Sequence, residues 1–531
     1  MRTSARELLE QLLDTGSFVS WDRPPVTVAA SPQYRDALQK AAVAAGIDES
    51  VLTGEGLLRG RRVAVIACEF GFLAGSIGVA AAERIVSAVE RATELGLPLV
   101  ASPTSGGTRM QEGTVAFVQM VKIAGAVAAH KSAGHPYLVY LRNPTMGGVF
   151  ASWGSLGHIT FAEPGALIGF LGPRVYEALY GRPFPEGVQT AENLYRRGVI
   201  DGVLTIPVFR RIAHRALSVF SGVALPDSAA VRPVSDQPAE LEPRSTAPHR
   251  NHESNDAEAE RIRLGLSESG SEGNAVWQSV LISRRPQRPG LRDLLRHVTQ
   301  RVPLSGTGQG ESDRTAVLAL GRFRGQPCVV FGHDRRGQQG ENTMGPAALR
   351  EARRSMALAQ ELRLPLVLVI DTVGAALSKE AEERGLAPEI ARCIADLVTL
   401  DTPTVSVLLG QGTGGGALAL LPADRVLAAT HGWLAPLPPE GASAIVFRDI
   451  DHAAELAAAQ RISAADLLAD GVVDRIVPEF PDAADEPVDF ARRMVAAIAQ
   501  ELTALRARPE SELLAARQAR YRRLGLPGGT S

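Results

Sequence analysis

At 531 residues the chain is too long for one ordinary core, and about two to four domains is the expectation. A hydrophobic fraction of 45% supplies large cores, while a net charge of −2 offers no global basic field for nucleic acid. Three separated cysteines without a CxxC exclude a zinc ribbon and a disulfide framework, so no bound metal is expected. No signal-peptide pattern opens the sequence, and no uninterrupted apolar run reaches about 18 residues; the expectation is a cytoplasmic protein with no membrane span.

Residues 5–13 read as a short amphipathic helix, and 34–45 as another. A hairpin follows over 57–67 with its turn at 59–61, then a Gly-rich loop at 70–78 containing Gly75 and Ser76. Residues 80–95 carry a helical stripe. The strand-like run 97–101 leads into Ser-Pro-Thr-Ser-Gly-Gly-Thr-Arg-Met-Gln-Glu-Gly at 102–113, and a helix runs from there to about 133. A strand at 136–141 precedes a second glycine loop at 144–149, holding Thr145, Gly147 and Gly148. A helix, strand-like runs at 159–162 and 167–170, and helices to about 219 complete the unit. Such alternation predicts an α/β fold with helices covering a sheet.

Residues 226–272 lose apolar periodicity and are rich in Pro, Ser, Glu, Asp and Asn, the composition of a flexible linker. Beyond it the first unit repeats. Leu97-Pro98-Leu99-Val100 matches Leu364-Pro365-Leu366-Val367 at an offset of 267; Pro136 matches Pro403, and Gly147-Gly148 matches Gly414-Gly415, at the same offset. Two further matches, His158-Ile159 with Asp424-Arg425 and the run at 198–201 with that at 471–474, keep the order. The chain therefore reads as a tandem duplication, with domains at 1–225 and 273–531. The loop at 102–113 has a degenerate counterpart at 370–375.

The chemistry-bearing patterns are glycine loops. There is no GxxxxGK[ST] phosphate loop, no GxGxxG between a strand and a helix, and no GxSxG elbow, so ATP, dinucleotides and a serine nucleophile are unsupported. A Gly pair between strand and helix lets the chain turn and bares backbone N–H groups at a helix N-terminus, which suits an oxyanion. An enolate stabilised by such donors needs little from side chains.

The motifs carry a resemblance. Residues 53–204 resemble the β-type carboxyltransferase subunit of biotin-dependent acetyl-CoA carboxylase through Thr-Gly-Glu-Gly at 53–56, Phe-Leu-Ala-Gly-Ser-Ile-Gly at 72–78, and Ser-Gly-Gly-Thr-Arg-Met-Gln-Glu-Gly at 105–113. Pro-Thr-Met-Gly-Gly-Val-Phe-Ala-Ser at 144–152, the run 162–170 ending in Phe170, and Pro-Glu-Gly at 185–187 extend the match. Residues 276–478 are similar to the α-type subunit through Arg-Arg-Pro-Gln-Arg-Pro at 284–289, Ala-Glu-Glu-Arg-Gly at 381–385, Gly-Thr-Gly-Gly-Gly-Ala-Leu-Ala at 412–419, and Pro-Pro-Glu-Gly-Ala-Ser at 438–443. The whole resembles a β–α fusion. That family implies tandem crotonase-like domains and transfer of a carboxyl group from carboxybiotin to acyl-CoA, with acetyl-CoA to malonyl-CoA as the first expectation.

By that resemblance Gly106 and Gly107 hold the thioester oxygen, and Gly416 and Ala417 the ureido oxygen of biotin. Gly75, Ser76, Thr145, Gly147, Gly148, Gly414 and Gly415 are the remaining substrate-binding candidates. Biotin is expected on a separate carrier protein, since no Met-Lys-Met occurs, and the ATP-dependent biotin carboxylase on another subunit. The site is expected between halves of different protomers, which would require at least a homodimer. Two departures stand out: the β-type zinc ribbon is absent, and Asp371-Thr372-Val373-Gly374-Ala375-Ala376-Leu377-Ser378 lacks the prolines and tyrosine of the α-type loop. The alternatives are a biotin-dependent malonyl-thioester decarboxylase and a catalytically silent scaffold. Arg109 is expected in a structural ion pair with Glu112, the alternative being a CoA phosphate, and Glu380, Glu382 and Glu383 on a solvated face.

Overall fold

The computed structural model describes residues 2–28, 30–220 and 271–526. The expected linker at 226–272 lies outside those residues, as does the limit at 225, except for 271 and 272, which open the helix Ser271–Ser283.

Among the described residues the amino-terminal half contributes nine strands: β1 (Val19–Ser20), β2 (Val51–Leu58), β3 (Arg61–Cys68), β4 (Leu99–Ser102), β5 (Tyr137–Leu141), β6 (Thr145–Met146), β7 (Ile159–Ala162), β8 (Ile168–Gly169) and β9 (Gly202–Val203). Seven form one sheet in the order β1-β2-β3-β4-β5-β7-β9, and β6 pairs with β8 beside it. The carboxy-terminal half contributes β10 (Gln300–Leu304), β11 (Ala316–Phe323), β12 (Gln326–His333), β13 (Leu366–Thr372), β14 (Thr404–Thr413), β15 (Arg425–Ala429), β16 (Trp433–Ala435) and β17 (Arg475–Val477). Their sheet runs β10-β11-β12-β13-β14-β15-β17, with β16 added to β14.

The two sheets repeat one plan. An antiparallel hairpin, β2–β3 or β11–β12, leads into parallel strands. Leu99 pairs with Ala64, and Leu366, 267 residues later, pairs with Val329 in the matching parallel register. The 59–61 turn is Arg59-Gly60, both at positive φ, as a two-residue hairpin requires. This is the tandem crotonase-like arrangement expected from the sequence. One expected element differs: after the second glycine loop there is no full helix, only a short turn at Trp153–Ser155. Gly154 donates to Val149 O there, and a Cβ on Gly154 would sit 2.8 Å from that same oxygen.

One helix explains how the halves meet. Gly113–Ser132 is apolar on nearly every face, and the span Met110–Ser132 has the length and composition of a membrane-crossing helix. Yet 72% of its most apolar window is buried inside the protein. It packs on Val79–Glu94 of its own half and on Leu386–Thr399 of the other, so an all-round apolar surface is what its place demands. The largest cluster of buried side chains accordingly runs through both halves, from Val86 and Val121 to Ile390 and Leu418.

Polar contacts fix the same junction. Thr114 donates from N and Oγ1 to Gln460 O, at 3.0 Å each, and from Oγ1 to Leu434 O. Gln119 Nε2 reaches Leu524 O at 3.0 Å, and Arg522 pairs with Glu83 and Glu90 at 2.7 Å.

Candidate active site between the two halves

The loop after β4 folds into a strained turn. Gly107 has φ +118°, a conformation that L side chains rarely adopt, and its N–H donates to Ser105 Oγ at 3.0 Å. The turn is pinned from behind by charge. Arg109 is fully buried and donates to Glu49 at 2.5 and 2.9 Å, with Glu112 at 3.6 Å. Glu112 in turn accepts from Val79 N at 2.6 Å, at the start of the helix Val79–Glu94, and from Tyr34 OH at 2.5 Å. Arg109 thus sits in a structural ion pair as expected, but its main partner is Glu49, with the expected Glu112 at the longer distance of 3.6 Å. Neither Glu49 nor Tyr34 carries a motif signal; each comes from a segment sixty or more residues upstream.

The carboxy-terminal half repeats the turn after β13. Gly374 has φ +138°, and its N–H donates to Thr372 Oγ1 at 3.1 Å. The second loops match as well: Gly147 has φ +62° and Gly414 φ +61°. The degenerate counterpart in the sequence is thus a true geometrical repeat, with Gly107 and Gly374 also 267 residues apart.

These four turns converge. A cavity of about 420 Å³ is lined from one half by Gly106, Gly107, Gly147, Gly148, Phe117 and Phe170, and from the other by Gly374, Gly414, Gly415, Ile390, Leu418 and Ile445. No described side chain lining it is charged. In such surroundings a backbone N–H interacts strongly with developing negative charge, because little water screens it. Both halves belong to one chain. The packing of Gly113–Ser132 on Leu386–Thr399 brings the turns of the two halves together within the chain.

The candidate residues divide by position. Gly106, Gly107, Gly147, Gly148, Gly414 and Gly415 line the cavity; Gly416 and Ala417 lie just behind it in the turn Gly414–Leu418. Gly106 N–H is already engaged by Ala74 O at 2.9 Å and Gly147 N–H by Gly169 O at 3.1 Å, whereas among the described residues Gly148 and the first three residues of the helical turn, Gly414, Gly415 and Gly416, show no partner for their N–H; Ala417 is the fourth residue of that turn, whose N–H belongs to the turn's own bonding. Gly75, Ser76 and Thr145 are not in the lining. A Cβ on Gly75 would sit 2.2 Å from Thr104 O, Ser76 O accepts from Arg109 at 2.7 Å, and Thr145 Oγ1 donates to Pro103 O and Arg142 O. These three buttress the loops that form the cavity. Thr343 and Thr413 also line it, with buried hydroxyl oxygens that have no described partner.

A carboxyl transferase domain model matches residues 2–513. The chain belongs to the carboxyl transferase family. It is 62% identical over 99% of its length, and 99% of the relative's, to the "Probable biotin-dependent acyl-coenzyme A carboxylase beta3 subunit" of Mycobacterium tuberculosis (strain ATCC 25618 / H37Rv). It is 36% identical to the "Acetyl-coenzyme A carboxylase carboxyl transferase subunits beta/alpha" of Salinispora tropica, over 99% of this chain and 91% of that one. The solved transcarboxylase 12S, described as a hexamer with methylmalonyl-coenzyme A bound, aligns at 19% identity over 96% of this chain and 91% of its own, with a TM-score of 0.36.

Within this carboxyl transferase fold the sequence reading missed one side chain at the junction. Glu382 is buried rather than solvated, and its carboxyl is pushed up to about 7 by burial, only partly offset by hydrogen bonds from Gln189, Phe170 and Leu171. Glu383 pairs with Arg197 at 2.9 Å; only Glu380 of the three is on the exposed face. Among the described residues no group of three or more His, Cys, Asp or Glu could hold a metal ion. The cysteines are buried, and burial pushes the Cys68 thiol up to about 11.

Proposed function

We propose that this chain is the carboxyltransferase component of a biotin-dependent acyl-CoA carboxylase. It moves a carboxyl group from carboxybiotin, held on a separate carrier, to the α-carbon of an acyl-CoA, with acetyl-CoA the first acceptor to test. What supports this reading most is the pairing of two glycine turns, one per half, across one uncharged cavity in a chain of this family.

The residues divide the work. The amino-terminal turns offer the N–H of Gly148, and that of Gly107 once it leaves the Ser105 hydroxyl, to the thioester oxygen as the enolate forms. The carboxy-terminal turn Gly414–Leu418 offers the N–H groups of its first three residues toward the ureido oxygen of biotin. A backbone donor at such a position is worth about 3–4 kcal/mol of barrier. Carboxybiotin supplies the carboxyl group and its N1 takes the α-proton, so no side-chain base is required. Thr343 and Thr413 place two unpartnered hydroxyls beside the carboxy-terminal turn, as polar groups awaiting a ligand would be.

The test is reconstitution. Purified protein with a biotin carboxylase, biotinylated carrier, ATP, bicarbonate and labelled acyl-CoAs is expected to give carboxylated acyl-CoA only when all are present. No carboxylation of any acyl-CoA would sink this reading, and loss of CO2 from malonyl-CoA in its place would favour the decarboxylase.

A further inference from the structure

We propose that Glu382 is a positioning residue: from the carboxy-terminal half it holds the Phe170–Leu171 segment of the amino-terminal half so that this segment keeps the two glycine turns in register. The proposal rests on the carboxyltransferase reading of the cavity and assigns a residue to its assembly.

The segment touches both turns. Gly169 O accepts the N–H of Gly147 at 3.1 Å, which ties it to the amino-terminal turn. One residue on, the Phe170 ring lies against Gly415 of the other half so closely that a Cβ there would sit 2.8 Å from Cε2. Between these contacts Phe170 N–H donates to Glu382 Oε1 at 2.8 Å. Gln189 Nε2 bridges the same oxygen and Leu171 O, at 2.7 Å each. Two amino-terminal donors thus converge on one buried carboxyl from the opposite half.

A plain structural contact would not need a carboxyl. Among the described residues no ion pair reaches Glu382: its neighbour Glu383 is taken by Arg197, and Arg384 by Glu311 and Glu380. A buried carboxyl without a cation is costly unless its hydrogen bonds are well met. Here they are met by backbone at a cavity wall and by an amide whose own oxygen, Gln189 Oε1, is buried without a partner. The acceptor role is what fixes the wall, and a shift of the wall would misplace one substrate against the other while leaving each turn intact. Misplacement by about 1 Å costs on the order of a hundredfold in rate.

Glu382→Ala and Glu382→Gln separate this from general destabilisation. Glu382→Ala is expected to lower kcat at least about tenfold with the KM for acyl-CoA and for carrier within about threefold, and Glu382→Gln, which keeps an acceptor oxygen, to stay within about threefold of wild type. Hydrogen–deuterium exchange of the peptide covering 168–172 is expected to speed up in Glu382→Ala and not in Glu382→Gln. If Glu382→Ala does not fold, Gln189→Ala takes its place, with a smaller effect in the same direction on both readouts. Wild-type kcat in the alanine variant, or unchanged exchange over 168–172, would overturn the proposal. A wild-type protein inert toward every acyl-CoA would overturn the functional reading alone, and the exchange measurement would still decide the role of Glu382.

Discussion

The two halves use one turn twice and secure it differently. Gly107 and Gly374 share a positive φ and a hydroxyl accepting their N–H, and Gly147 and Gly414 are nearly superposable in φ. In the amino-terminal half the turn is fastened by a fully buried charge network, Arg109–Glu49 with Glu112 behind it. In the carboxy-terminal half the equivalent clasp, Arg335–Asp371 at 3.0 Å, is less buried, and close approach is secured by three consecutive glycines instead. One half therefore holds a rigid shape against its own core, while the other leaves room for its partner's Phe170. The difference suits a site in which each half receives a different ligand.

Removing the charges probes that contrast most severely. Arg109→Met leaves Glu49 buried without its cation and is expected to cost about 3–5 kcal/mol of stability, read from denaturant unfolding. Arg335→Met, where the guanidinium is 16% exposed, is expected to cost less, about 1–3 kcal/mol. Equal losses would erase the distinction.

Next in size is Gly107→Val. Its φ of +118° strains any L side chain by about 1–3 kcal/mol, and the valine would enter the cavity. Carboxyl transfer is expected to fall about 10²–10³-fold with a cooperative melting transition retained. Retained activity would place the oxyanion donors elsewhere.

Gly415→Ala sharpens the other side. Its Cβ would meet the Phe170 ring at 2.8 Å and Ile390 Cδ1 at 2.9 Å, so an overpacking cost of about 1–3 kcal/mol is expected, together with a drop in transfer. Pairing it with Phe170→Ala is expected to relieve part of the stability loss, a coupling that a double-mutant cycle reads directly.

The smallest effect is on pH dependence. Burial lowers His130 in one half and His333 in the other to about 4, so both stay neutral in the folded protein. A pKa depressed on folding means the native state binds fewer protons; stability is full above the unfolded value near 6.5 and is lost as pH falls through 4. Melting temperature is expected to decline over that window, and less steeply in His130→Gln or His333→Gln.

Much of this was legible in the sequence because backbone geometry wrote it there. Glycines that must take positive φ cannot drift, so Gly147 and Gly414 kept both identity and spacing, and the Leu-Pro-Leu-Val strands kept their register. Gly75, Ser76 and Thr145 stand in the same motifs, outside the cavity lining, where they brace the loops around it. Glu382 was illegible. It sits in a run of acidic residues on a five-residue helix, and what buries it is a loop some two hundred positions away.

The most direct test of the central claim, one active cavity built from both halves of a single chain, is complementation. Gly107→Val and Gly415→Val chains, each inactive alone, are co-expressed and assayed for carboxyl transfer to acyl-CoA. A site formed within each chain predicts no recovery at any ratio, because every cavity contains one damaged turn. Recovery toward about a quarter of wild-type activity, the yield of randomly mixed two-fold dimers that share sites across the interface, would contradict it.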